Sequence, residues 1–76
     1  REKMTKYAIW TEIHTTAGIR FQLNAGKKGK GQVLGSCTSW DNSRALSAAD
    51  DICRHIEQRA KGQGYTILAS PQALQD

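Results

Sequence analysis

Residues 5 to 15 alternate in character, with Tyr7, Ile9, Thr11 and Ile13 on one side and Lys6, Ala8, Trp10, Glu12 and His14 on the other. A period of two predicts a β-strand buried on one face, and the odd-numbered set, richer in large apolar groups, is expected to face inward. Thr16, Ala17 and Gly18 predict a short turn, after which Ile19, Phe21 and Leu23 alternate with Arg20, Gln22 and Asn24. The two segments together predict an antiparallel hairpin. From Ala25 to Gly31 the chain has no large apolar side chain to bury, and Gly26, Gly29 and Gly31 are free to take positive φ, so an exposed, mobile loop is expected. Gln32 to Ser39 predict a third strand, weakened where Gly35 and Ser36 interrupt it.

The period then changes from two to that of a helix. Trp40 is followed by the capping residues Asp41, Asn42 and Ser43, and Ser47 with Asp50 resembles a capping box, so a helix is predicted to start between 42 and 48. Ala45, Ala49, Ile52, Cys53, Ile56 and Ala60 fall on one stripe, while Asp50 with Arg54 and Glu57 with Lys61 stand at i,i+4 on the solvent side. Lys61 and Gly62 predict the helix end. Tyr65 to Leu68 are expected to form a fourth strand, and residues 69–76, which include Pro71, a loose tail.

The expected fold is therefore α+β, a small antiparallel sheet in the order βββαβ with one amphipathic helix packed on one face. A single domain spans residues 5–68, and Arg1 to Lys3, which precede Met4, are expected to be an upstream extension or a cloning remnant. With the odd residues of the first strand inward, Trp10, Glu12, His14, Arg20 and Gln22 are expected on the open face. An uncovered sheet face carrying a tryptophan predicts either a binding surface or a homodimer contact.

Charge sharpens the picture. The net charge is +4, and residues 13 to 40 carry Arg20, Lys27, Lys28 and Lys30 without any acid, so the whole excess lies there. Such a segment either steers an anionic partner towards the protein or serves as a solubilising loop. With 76 residues the chain has room for one small core and little else. No apolar run is long enough for a membrane span and no signal-peptide pattern opens the chain, so a cytosolic location and no membrane partner are expected.

Catalytic chemistry finds little support. Cys37 with His14 or His55, and His14 with Glu12, are the nearest approaches to a nucleophile with its base, but Glu12 and His14 stand two apart on one strand face, Asp51 and His55 lie on the solvated side of the helix, and a chain this short can hardly enclose a cleft as well as a core. The run Gly26 to Gly31 lacks the Lys-Ser or Lys-Thr ending of a phosphate-binding loop and leads into a strand, not a helix. Cys37 and Cys53 have no further pair or histidine cluster to complete a metal site, and are expected to be buried thiols or, alternatively, a disulfide between strand and helix. No cofactor, metal or enzymatic activity is expected.

The segment Arg20-Phe21-Gln22-Leu23-Asn24-Ala25-Gly26 followed by Gln32-Val33-Leu34 resembles the hairpin of the small YegP-like domains, a family that implies no activity. The layout from Tyr7 to Leu68, closing with Gly64-Tyr65-Thr66-Ile67-Leu68 after the helix, is similar to that of several small phage-encoded anti-CRISPR inhibitors. That resemblance implies a non-enzymatic blocker from a phage or mobile element. It would dock on a CRISPR effector or another host nucleic-acid-handling complex and obstruct it. The expected partner-binding residues are Trp10, Glu12, Arg20, Gln22, Lys27, Lys28 and Lys30. The alternative is a small DNA- or RNA-binding accessory domain that uses the basic loop and the open face, since a sheet can enter a groove while cations contact phosphates.

Overall fold

The computed structural model describes residues 5–75, so the expectation for Arg1 to Lys3 lies outside the described residues. The chain folds as β1 (Lys6–Thr15), β2 (Gly18–Ala25), β3 (Val33–Ser39), α1 (Ser43–Gly62) and β4 (Tyr65–Ile67), followed by one turn of 3₁₀ helix at Gln72–Leu74. The order βββαβ and the single helix make it a small α+β domain.

The sheet runs β3-β2-β1-β4. β1 with β2, and β2 with β3, are antiparallel, but β4 joins β1 in parallel, so the sheet is mixed. The direction follows from the connection. A helix between two strands of one sheet carries the chain back to the end at which the first of them began, so β4 runs the same way as β3. Two antiparallel steps make that the direction of β1.

The register of the hairpin decides which face of β1 is inside. Thr15 pairs with Gly18, which leaves only Thr16 and Ala17 in the turn. Gly18, expected in the turn, begins the strand at φ 122°, and a Cβ there would lie 2.4 Å from the Ser39 carbonyl oxygen. No other residue fits. The Thr15 hydroxyl closes the turn by donating to the Gly18 carbonyl at 2.9 Å and accepting from the Ala17 N–H at 3.1 Å. A turn shorter by one residue slips the pairing by one, and since side chains alternate, every β1 side chain changes face.

Leu23 therefore stands opposite Trp10, and Phe21 opposite Glu12. Ala8 and Trp10 enter the core beneath α1, whereas Ile9 and Ile13 lie on the open face with Arg20 and Gln22. The expected inner set of β1 is thus its outer set. The strongly apolar side of β2 prevails: Ile19, Phe21 and Leu23 are the largest fully buried side chains, each worth about 1.5–3 kcal/mol of transfer free energy.

α1 starts at its cap, where the Asn42 Oδ1 accepts from the Ala45 N–H at 2.9 Å. Ala49, Cys53, Ile56 and Ala60 are buried against the sheet, as the stripe predicts, but Ile52 at its margin stays half-exposed. Arg54 and Asp50 form the expected i,i+4 pair at 3.1 Å. Glu57 turns instead towards the sheet and accepts from the Trp10 indole N–H at 2.7 Å. The left-handed residue after the helix is Gly64, at φ 96°, rather than Gly62.

Leu68, expected in the fourth strand, lies just beyond it, and the described part of the segment expected as a loose tail, residues 69–75, folds back on the domain. The Leu68 N–H donates to the Ala8 carbonyl at 2.9 Å, and the Trp10 N–H donates to the Ala69 carbonyl at 3.3 Å, so the chain continues along β1. Pro71 is buried, and Ala73 and Leu74 pack against the core. This segment is tied to β1 through the Trp10 backbone and through the Glu12 carboxylate, which accepts from the Ala73 N–H.

Candidate interaction surface

The side of the sheet away from α1 presents Tyr7, Ile9, Thr11 and Ile13 from β1, Arg20 and Gln22 from β2, and Ser36 and Thr38 from β3. No carboxylate stands among these strand residues. Glu12 lies on the helix side, and Asp50, Asp51 and Glu57 belong to α1. Arg20 is exposed, and the opposing Ile13 beside it is 47% exposed despite being a large aliphatic.

The lysine loop sits at one end of this face and is held there. The Gly26 N–H donates to the Tyr7 carbonyl at 2.7 Å and the Gly31 N–H to the Ala25 carbonyl at 2.9 Å. Asn24, buried although the alternation of β2 marks it as outward, accepts from the Thr11 hydroxyl at 3.3 Å and donates to the Gly31 carbonyl at 3.4 Å. Gly29 folds back over the sheet so closely that a Cβ would lie 2.9 Å from the Thr11 methyl. The loop is exposed, as expected, but anchored by its backbone.

This anchoring gathers the cations. Lys27 Nζ lies 4.8 Å from the centroid of the Tyr7 ring, a cation–π contact on the open face. Lys27, Lys28 and Lys30 line one shallow hollow with Gly26 and Gly31. Of the residues predicted for partner contact, Arg20, Gln22 and the three lysines therefore lie on or beside one face. Trp10 and Glu12 do not share it: Trp10 is 5% exposed and hydrogen-bonded to the helix, and Glu12 is engaged on the opposite side.

The solvent-facing tryptophan is Trp40, which is 64% exposed. With Ile52, Ala45 and Ala48 it borders a mostly apolar hollow that reaches Thr38 on the rim of the open face. The sequence marks Trp40 only as a flank of the helix cap. A large aromatic among four polar residues, too far from the helical stripe to join it, was the signal available.

Glu12 and His14 form a pair with Oε1 and Nε2 2.6 Å apart, and Glu12 Oε2 accepts from the Ala73 N–H at 3.3 Å. Partial burial pushes the Glu12 carboxyl up, but the hydrogen bonds from His14 and from the backbone of Ala73 and Gln72 outweigh it and hold the group below its ordinary 4.5. A carboxyl depressed in the folded state stabilises the fold above the unfolded value, and that contribution is lost as pH falls through the folded value. Urea unfolding at neutral pH and at about pH 3 should therefore show the wild type losing more stability on acidification than Glu12→Gln. Equal losses would mean that the carboxylate does not hold the C-terminal segment.

The other candidate chemical groups do not converge. His14 is engaged by Glu12, the Cys37 sulfur faces Cys53, and His55 is exposed on α1. Among the described residues, no three or more His, Cys, Asp or Glu side chains form a group that could hold a metal ion. None of the helices among them is long and apolar enough to cross a membrane. The chain matches no family model, no curated protein and no solved structure.

Proposed function

We propose that the protein is a non-enzymatic binding protein that docks, through its open sheet face and lysine loop, on an anionic surface of a host nucleic-acid-handling complex and blocks it. One observation carries this reading. Arg20 and the anchored Lys27, Lys28 and Lys30 border a sheet face on which no strand residue is acidic. Complementary charge steers encounter and fixes orientation, and the apolar Ile13, with Trp40 at the rim, supplies area that water leaves on contact. The phage-encoded anti-CRISPR inhibitors, which the layout resembles, supply the class of target: a CRISPR effector complex whose DNA-binding or nuclease-recruiting surface is occluded.

Direct nucleic-acid binding is the second reading, favoured by the same cations, since each lysine or arginine on a phosphate releases a counterion. Among the described strand residues of the open face Tyr7 is the one aromatic, and Lys27 already sits over its ring, which leaves Trp40 at the rim as the exposed aromatic ring for stacking on bases.

The discriminating experiment is surface-immobilised binding of a nuclease-treated, purified effector complex to the wild type and to the Lys27→Glu/Lys28→Glu/Lys30→Glu variant. The variant should bind roughly tenfold or more weakly, mostly through a slower on-rate, and with a flatter salt dependence. It should melt at the wild-type temperature, because the loop is held by its backbone. Binding to bare DNA or RNA but not to the treated complex would establish the second reading, and unaltered binding by the variant would reduce the loop to a solubilising one.

A further inference from the structure

We propose that Cys37 and Cys53 form a reversible oxidation site, at which a small disulfide of the glutathione class converts the thiol pair into a covalent staple between β3 and α1. The two sulfurs lie 3.5 Å apart, although the residues are separated by 16 positions in the chain. Both cysteines are free. A disulfide bond is about 2.0 Å long, so the sulfurs need to approach by only about 1.5 Å.

The surroundings assign each cysteine a separate part. Cys37 is half-buried on β3, an edge strand with no neighbour on its outer side, and is therefore the sulfur a soluble reagent reaches. Cys53 is buried beneath the sheet, and desolvation, followed by its contact with Cys37, pushes its thiol well up from the ordinary range. A raised thiol is a poor first nucleophile. The order of events follows from this difference.

Cys37 loses its proton and attacks one sulfur of oxidised glutathione, forming a mixed disulfide and releasing one glutathione thiolate. Cys53 then gives up its proton and attacks the Cys37 sulfur, which forms the internal bond and expels the second thiolate. The two released protons reprotonate the two glutathione thiolates. The protein pair loses two electrons and the oxidised glutathione gains them, so the state of the site follows the ratio of oxidised to reduced glutathione.

The staple has a place in the fold that gives it an effect. β3 is bonded to the sheet on one side only, and Ser36 and Thr38, on either side of Cys37, point to the open face. Oxidation fixes that rim to the helix.

The test is incubation of the protein in glutathione buffers of increasing oxidised fraction, followed by non-reducing mass spectrometry with peptide mapping and by thermal melting. The expected product is a monomer lighter by two hydrogen atoms, with the Cys37 and Cys53 peptides linked. It should melt higher by on the order of 10 °C and return to the starting value with dithiothreitol. Cys53→Ala should instead hold a stable glutathione adduct on Cys37, and the wild-type measurement stands even if that variant folds poorly. Adducts without the internal link, no oxidation at any ratio, or a linked chain that melts no higher than the reduced one would overturn the proposal.

Discussion

Trp10→Ala should unfold the protein or leave it marginal, with a loss of about 3–5 kcal/mol against the roughly 5 kcal/mol available to a domain this small. The indole is 5% exposed among Leu23 and the helix residues, and its N–H donates to Glu57 at 2.7 Å. Truncation empties that volume and leaves the half-buried Glu57 carboxylate with only the longer hydrogen bond from the Ser70 hydroxyl at 3.5 Å, so the transfer, cavity and hydrogen-bond losses all act in the same direction. Ile13→Ala, three positions along the same strand, is the control. Ile13 is 47% exposed, and its removal should change stability by no more than about 0.5 kcal/mol. Urea unfolding of both variants tests the register itself: the opposite ranking would mean that the odd residues of β1 face the helix after all.

Gly35→Ala should cost about 1–3 kcal/mol, a large effect for one added methyl group. Gly35 stands opposite Leu23 on the helix side of β3, and a Cβ there would lie 2.5 Å from the Ile56 Cγ2 and 3.2 Å from its Cδ1. Ile56 is itself buried, so neither partner can give way without moving the helix. The pairing can be isolated by a double-mutant cycle. Ile56→Ala alone should cost about 2–5 kcal/mol, but in the Gly35→Ala background it should cost clearly less, because it removes both the Cγ2 and the Cδ1 methyl groups that the added Cβ would meet. Strictly additive losses in chemical denaturation would show that the two residues do not meet.

Gly35 also shows how far the sequence could be read. As a glycine in a strand it looks like a weakness, and nothing in a linear pattern says that a helix ridge will press on that spot. The helix was legible because its apolar period follows a run of capping residues, Asp41-Asn42-Ser43, which leaves open which of them is the cap; the structure places it at Asn42. The inner face of β2 was legible because Ile19, Phe21 and Leu23 have only polar residues between them. β1 was ambiguous by composition, since Tyr7, Ile9 and Ile13 outweigh Ala8 and Trp10, and its face was settled elsewhere, by whether Gly18 belongs to the turn or to the strand.

The candidate surface was legible in its charge and not in its membership. Arg20, Gln22 and the three lysines follow from the β2 alternation and the acid-free segment, whereas Trp10 and Glu12 inherited the error in the β1 register. Asn24 escaped notice because an asparagine at an outward position gives no sign that it will be buried as the tie between β1 and the loop. The C-terminal segment was missed for a related reason. Pro71, Ala73 and Leu74 are too few and too small to make a periodic signal, and join the core only because the 3₁₀ turn folds back against α1. The parallel entry of β4 corrects the expectation of a wholly antiparallel sheet: a helix inserted before the last strand returns the chain so that this strand runs with β1.

That entry places β1 between its near neighbour β2 and a strand reached only after the helix is complete. As the chain emerges from the ribosome, the meander of the first three strands can assemble while one flank of β1 still presents bare amide and carbonyl groups. The helix must leave the exit tunnel, and the closing strand after it, before that flank is sealed. A chain halted just beyond the helix would expose a row of unsatisfied backbone groups on β1 that invites pairing with other chains, and β4 seals this edge, which the first three strands leave open.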